Sequence, residues 1–270
     1  MTVEDIRSHF VKMPALQETN ISSLQAFTDF IEHEVANAPS QLWFRGCGDT
    51  AYKLIPTIYR HPDPHAQPLD LERNLLARFR QRSIPYQKQP FTDDWDQLFF
   101  MQHFRIPTRL LDWTENPYIA MYFALAFSKD AAVDAAVWVL NPSDWNQHVL
   151  SHIGFPGRIL GPAEHPMKAY APTSEPQFLA TKPVAMYGNH NSPRIVAQRG
   201  AFCIFGKGPE PMEDIYALDF PINCLIKLVF KANAKPDHLR SLHAIGFSES
   251  VVYPDLEGLA MELRRVFGFQ

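Results

Sequence analysis

Apolar residues recur at helical spacing at Leu24, Phe27, Phe30, Ile31 and Val35, and Ser22-Ser-Leu-Gln25 ahead of them reads as a capping box. The pattern predicts an amphipathic helix ending near Ala38-Pro39. Residues 41–46 are rich in β-formers but do not alternate, which predicts a strand buried on both faces. Prolines at 56, 62, 64 and 68 then mark residues 49–68 as a wrapping loop. Leu71, Leu75, Leu76 and Phe79 line one face of a predicted helix over 69–82, with Arg73, Arg78, Arg80 and Arg82 on a solvated face. A third helix, Thr92 to His103, opens on Asp93, Asp94 and Asp96, which suit a positive helix N-terminus, and must stop before Pro107.

The second half of the pattern is more apolar. Thr108 to Trp113 reads as a short strand, and Asn116-Pro117 starts a helix to about Ser128 that is apolar nearly all round. Such a helix has to be internal or packed on a sheet. Residues 135–140 (AAVWVL) predict a central strand, residues 141–192 a loop-rich insertion that is helical over 145–153, and residues 194–205 and 224–230 two more strands. Leu239, Leu242 and Ile245, then Leu256, Leu259, Leu263 and Val266, make the tail helical. With no repeat and no linker, the expectation is an N-terminal extension (1–21) and one α+β domain (22–270) whose mixed or antiparallel central sheet is flanked by helices.

Composition changes this picture little. The 270 residues are 46% hydrophobic, enough for a sizeable core, and the formal net charge of -4 excludes a generally basic surface that would attract nucleic acid or anionic membrane, so any anion site has to be local. The longest apolar run, Tyr118 to Phe127, is about half of what a bilayer span needs, and no basic-then-apolar leader pattern opens the chain, so the expectation is a cytoplasmic protein with no membrane partner. Cys47, Cys203 and Cys224 lack CxxC spacing and read as plain thiols. No HExxH, DxDxDG or GxxxxGK[ST] is present, and no metal is expected.

Two stretches carry candidate chemistry. In "LWFRGCGDTAYKLIPTIYR" (42–60) a strand runs into Arg45 and then a turn at Gly46 and Gly48. A guanidinium near the core must find an anion or an acidic partner, because a dry unpaired charge is costly. In "FMQHFRIPTRLLDWTENPYIAMYFALAF" (100–127), Gln102, His103, Arg105, Arg109, Asp112 and Thr114 fall around a helix end and a strand. Asp112 and Thr114 share a strand face with Leu110. That pair suits a hydroxylated ligand, or equally a cap and a lock for Arg109 or Arg45.

"WFRG" at 43–46, "QHFRIPTRLLDWTENPYIAMYFA" at 102–124, "RIVAQRGAF" at 194–202 and "VVYPDLEGLA" at 251–260 together resemble the FRG domain family, over about residues 22–263. That bacterial family suggests a role in defence or toxicity. Phe44-Arg45-Gly46 and Asp112-Trp113-Thr114 followed by Ala120-Met-Tyr-Phe123-Ala124 also resemble the ADP-ribosyltransferase superfamily, with Asp112 where that superfamily has a serine. This second resemblance implies an ADP-ribosyltransferase-like fold and NAD as substrate. It implies catalytic duty for Arg45, Asp112, Thr114 and Gln198, and nucleotide contacts from Arg45, Gly46, Tyr52, Gln102, His103, Arg109 and Arg194. Gln198 stands on the segment where the superfamily places its catalytic Glu, and an amide holds a hydroxyl but cannot supply a full charge.

Three functions stay open at the level of sequence. One is an NAD-dependent enzyme modifying a protein or nucleic acid; cleavage of the nicotinamide–ribose bond builds cation on the sugar, which a carboxylate stabilises. Another is a nucleotide-sensing or protein-binding module without turnover. The third is a phosphodiester-cleaving enzyme using His103, Arg105 and Arg109.

Overall fold

The computed structural model describes residues 16–38, 40–87, 89–128, 130–189 and 193–269. Seven strands form one mixed sheet: β1 (Gln17–Asn20), β2 (Trp43–Cys47), β3 (Leu110–Thr114), β4 (Ala135–Leu140), β5 (Val184–Met186), β6 (Gly200–Ile204) and β7 (Leu225–Phe230). Their order across the sheet is β1-β7-β4-β2-β3-β6-β5. β1 lies parallel to β7, and all other neighbours are antiparallel.

Alternation along the central strands sends side chains into two separate cores. Phe44, Val137, Val139 and Leu228 face one side, where they meet α1 (Leu24–Asn37) through Phe27 and Ile31 and α4 (Pro117–Ala126) through Ile119 and Met121. Trp43, Trp138 and Leu140 face the other side. There they join Leu76 of α2 (Pro68–Arg82), Leu98 and Phe99 of α3 (Asp94–His103), Trp145 of α5 (Pro142–Val149) and Tyr216 of α7 (Met212–Asp219). Three further helices, α8 (Lys235–Ala244), α9 (Glu249–Val252) and α10 (Leu256–Val266), close the chain. Among the described residues no helix is long and apolar enough to cross a membrane.

Side-chain caps set several boundaries. Asp93 starts α3 by accepting from the Asp96 amide at 2.7 Å, and Asn116 starts α4 by accepting from Tyr118 N at 3.0 Å ahead of Pro117. The first helix is capped by Ser23, which accepts from Ala26 N at 3.0 Å, one residue later than the capping box at Ser22 predicts.

Besides the helix Met212–Asp219, for which the pattern gave no expectation, the structure departs from the sequence pattern in three places that shape the sheet. Residues 194–205 are not one strand: Pro193–Ala197 form the short helix α6, the chain turns at Arg199 (φ 46°), and only Gly200–Ile204 extend as β6. Gln198 therefore sits on a turn before the strand. Residues 17–20, inside the expected extension, form the edge strand β1; its polar QETN sequence gives no apolar signal because pairing with β7 is through the main chain. Within the loop-rich 141–192 stretch, three residues pair with β6 as β5, too short a run to show periodicity.

Candidate functional site

The sheet divides between β2 and β3. β2 pairs with β4 at five positions and β3 with β6 at five, yet β2 and β3 meet only at Phe44↔Thr114. Beyond that pair the two strands part, and the gap opens into a cleft of about 350 Å³. Its size lies at the lower end for a ligand pocket.

Gly46 decides how closely α4 packs beside this gap. A Cβ at Gly46 would stand 2.0 Å from the carbonyl oxygen of Ala120 and 2.6 Å from the amide nitrogen of Ala124. Glycine is required for that approach, so the third residue of the Phe-Arg-Gly run acts through packing, and Arg45 is fixed beside a helix held against its strand.

Arg45 reaches across the split. Its Nη1 donates to the main-chain carbonyl of Asp112 at 2.6 Å, while its buried Nε has no hydrogen-bond partner. Ion pairs with carboxylates engage Arg73, Arg80, Arg109, Arg158, Arg240 and Arg265. The cleft arginines Arg45, Arg105 and Arg194 are not among them. Arg45 and Arg194 are half-buried and Arg105 is exposed, and a half-buried guanidinium left in this state is a strong site for an anion.

Among the described residues Asp112 is the one carboxylate that lines the cleft. Its Oδ2 accepts from Gln102 Nε2 at 2.8 Å, and Gln102 Oε1 in turn accepts from the buried Thr108 hydroxyl at 2.5 Å. The Thr108 bond fixes which end of the Gln102 amide faces Asp112. Thr114 is differently occupied. Its hydroxyl donates to Gln198 O at 2.5 Å and accepts from Asn116 N at 3.0 Å, so it ties the end of β3 to the turn before β6. Gln198 Nε2 donates to Val252 O at 3.0 Å.

The remaining walls are aromatic and cationic. Phe44, Phe99, Phe123, Phe127 and Phe202 supply apolar surface. His103, Arg105, Arg194 and Tyr253 form the rim, with the Arg194 guanidinium 4.5 Å from the centre of the Tyr253 ring. Burial, and then the Arg194 charge, hold the His103 pKa below its ordinary value, with Asp255 opposing. Arg105 has a φ of 60°, a left-handed conformation that costs a non-glycine residue about 1 kcal/mol or more.

Of the residues expected at the site, Arg45, Gly46, Gln102, His103, Asp112, Thr114, Arg194 and Gln198 all line this one cleft. Arg109 and Tyr52 do not. Arg109 is 1% exposed: its Nε donates to Glu72 Oε2 at 2.6 Å, and Nη1 and Nη2 donate to the carbonyls of Phe205 (3.0 Å) and Tyr170 (3.1 Å). All three of its guanidinium nitrogens are engaged inside the protein and it does not line the cleft, which takes it away from nucleotide or phosphodiester chemistry there. Tyr52, 41% exposed, lies beyond the turn after β2 and outside the cleft lining. The three cysteines are buried free thiols, and burial pushes each thiol pKa up.

Sequence reasoning assigned no site role to Tyr253 or to the phenylalanine walls, although Phe44, Phe123 and Tyr253 fall in the stretches that carry the resemblances. Tyr253 carries no local signal, and Phe202 reads as core in an apolar strand. A larger cavity of about 770 Å³ between the turns around 148–182 is lined by His148, His152, His165, Lys168 and Lys182, but Lys182 and His148 are both turned onto Asp219. It holds no motif residue, and the smaller cleft is the chemically distinctive one.

Residues 40–133 match the family model described as FRG domain. The matched stretch contains β2, β3, α2, α3 and α4, and with them Arg45, Gln102, His103, Arg105 and Asp112. Arg194, Gln198 and Tyr253 fall outside it. No curated protein and no solved structure matches the chain.

Proposed function

We propose that the cleft binds a dinucleotide of the NAD type and breaks its nicotinamide–ribose bond, passing ADP-ribose to a macromolecular acceptor. The observation that carries this reading is convergence. The two segments that resemble ADP-ribosyltransferases, and the one that carries Gln198 where the superfamily has its Glu, are far apart in sequence, yet they lie on β2, on β3 with α4, and on the turn leading into β6, and the three strands are side by side in the sheet. Around the point where they meet, among the described residues, are three arginines with no carboxylate partner, aromatic walls and one carboxylate.

The chemistry follows from those groups. The bond between ribose C1 and the nicotinamide nitrogen breaks heterolytically, and its electron pair leaves with nicotinamide, which becomes neutral. Positive charge builds on the ribose. Asp112, held by Gln102, is the group able to stabilise it. The acceptor's nucleophile then bonds to C1 and loses its proton to solvent. Arg45 holds phosphate or ribose oxygens, and Thr114 acts through position, because both of its hydrogen-bonding roles are already taken.

A second reading, nucleotide binding without turnover, is favoured by Gln198. Its side chain is neutral and engaged with the Val252 carbonyl, so it offers no charge to a sugar cation. The two readings part on one assay. Incubation with NAD labelled in the nicotinamide is expected to release nicotinamide with the wild type, and Asp112→Asn is expected to lose about 100-fold in that rate while still binding NAD. Saturable NAD binding with no release supports the second reading, and no binding at all rejects both.

A further inference from the structure

One wall of the cleft combines a strained backbone with cations that the reaction above does not use. Arg105 stands two residues beyond the end of α3 in the left-handed region, which glycine enters freely and arginine does not. A glycine there would relieve the backbone, so the side chain is what the position gains. An outlier of this kind at a cleft is grounds for seeking a function.

The surroundings say which function. Arg105 and Arg194 come from separate elements, and both are gathered around Tyr253. Arg194 lies over the ring at 4.5 Å. Burial raises the Tyr253 pKa, and the charges of Arg194 and then Arg105, together with a hydrogen bond from Arg105, oppose that rise. The nearby Asp255 does not neutralise this pair by an ion pair; its Oδ1 accepts from Gly258 N at 2.8 Å as the cap of α10. Two guanidiniums thus act on one aromatic ring at the cleft, and neither has a carboxylate ion-pair partner among the described residues. The like charges repel until an anion with more than one negative charge lies between them.

We propose that Arg105 and Arg194, braced on Tyr253, form a clamp for the diphosphate of the bound ligand, with Arg105 the residue that selects a diphosphate-bridged nucleotide over an uncharged nucleoside. Arg45, from β2, then faces the ribose. This assignment rests on the nucleotide reading and specifies where in the cleft the phosphates lie.

The test is calorimetric titration of the full chain with ADP-ribose, paired with thermal denaturation. Arg105→Gly is expected to melt no lower than the wild type and to bind ADP-ribose at least about ten-fold more weakly. Arg194→Ala is expected to lose similar affinity, and Arg105→Lys to recover part of it, since lysine keeps the charge but not the fork. Adenosine is expected to bind the wild type and Arg105→Gly equally weakly. If Arg105→Gly binds ADP-ribose within about two-fold of the wild type, or loses affinity only in step with a lower melting temperature, the clamp is wrong. A wild type that takes up no ADP-ribose overturns the clamp and the nucleotide reading together; a wild type that releases nicotinamide beside an unaffected Arg105→Gly overturns the clamp alone.

Discussion

Arg45 and Arg109 show how one residue type serves opposite ends in this chain. Arg109 and Glu72 are 1% and 2% exposed, their charges are paired at 2.6 Å, and Nη1 and Nη2 of Arg109 each donate to a main-chain carbonyl. Removing one partner would leave a buried charge with nothing to answer it. Glu72→Ala is therefore expected to lower stability by about 3–5 kcal/mol, read as a shift in the urea midpoint, and a loss below about 1 kcal/mol would contradict the pairing. Arg45 has no carboxylate partner among the described residues, and under the proposed function the anion that answers it is the ligand's. The sequence showed that both arginines stand among apolar neighbours. It did not show which had an acid, because the answer lies on a helix over thirty residues away. The signal was present in one form: Glu72 occupies the position four before Leu76, on the stripe that α2 buries.

At the scale of elements, the site depends on how α4 lies against β2. Gly46 is the contact that permits it, and Gly46→Ala would push a methyl group into main chain at Ala120 and Ala124, which cannot yield as a flexible side chain would. The expected cost is about 3 kcal/mol, measured by chemical denaturation, and an unchanged midpoint would show that α4 sits elsewhere. The long periodic elements α1, α2, α3 and α4 were legible from spacing and capping residues to within a few positions. Shorter ones were not. The polar edge strand β1 and the three-residue β5 are held by main-chain pairing that no apolar pattern announces, and α6 was hidden because Ile195 and Val196 are β-formers while the turn at Arg199 needs a left-handed residue without a glycine to mark it. This last error matters to the chemistry, since it moves Gln198 from a strand to a turn.

The whole molecule carries a pH dependence of definite sign. His103, His148, His238 and His243 all have pKa values below their ordinary 6.5, burial being the first cause in each. Below about pH 6.5 the unfolded chain takes up protons that the folded one refuses, so the stability these residues support at neutral pH is lost as the pH falls through their folded values. Asp134, held low by its bond from Lys231, and Glu262, held low by Ser248 and Ser250, lose their contributions further down, below their ordinary 3.8 and 4.5. The melting temperature is expected to fall from about pH 7 to about pH 5, and a flat profile across that interval would contradict the burial of the four histidines. At this scale the sequence disclosed an α+β chain with a mixed sheet and two regions of candidate chemistry. It did not disclose that the sheet parts between β2 and β3, because register is a property of paired strands. Titration of NAD into wild type and Arg45→Ala tests the central claim most directly. The wild type is expected to bind saturably and Arg45→Ala to lose about ten-fold or more in affinity with stability within about 1 kcal/mol of the wild type, whereas equal binding by the two, or unfolding of the variant, would mean that the guanidinium serves the fold and not a nucleotide.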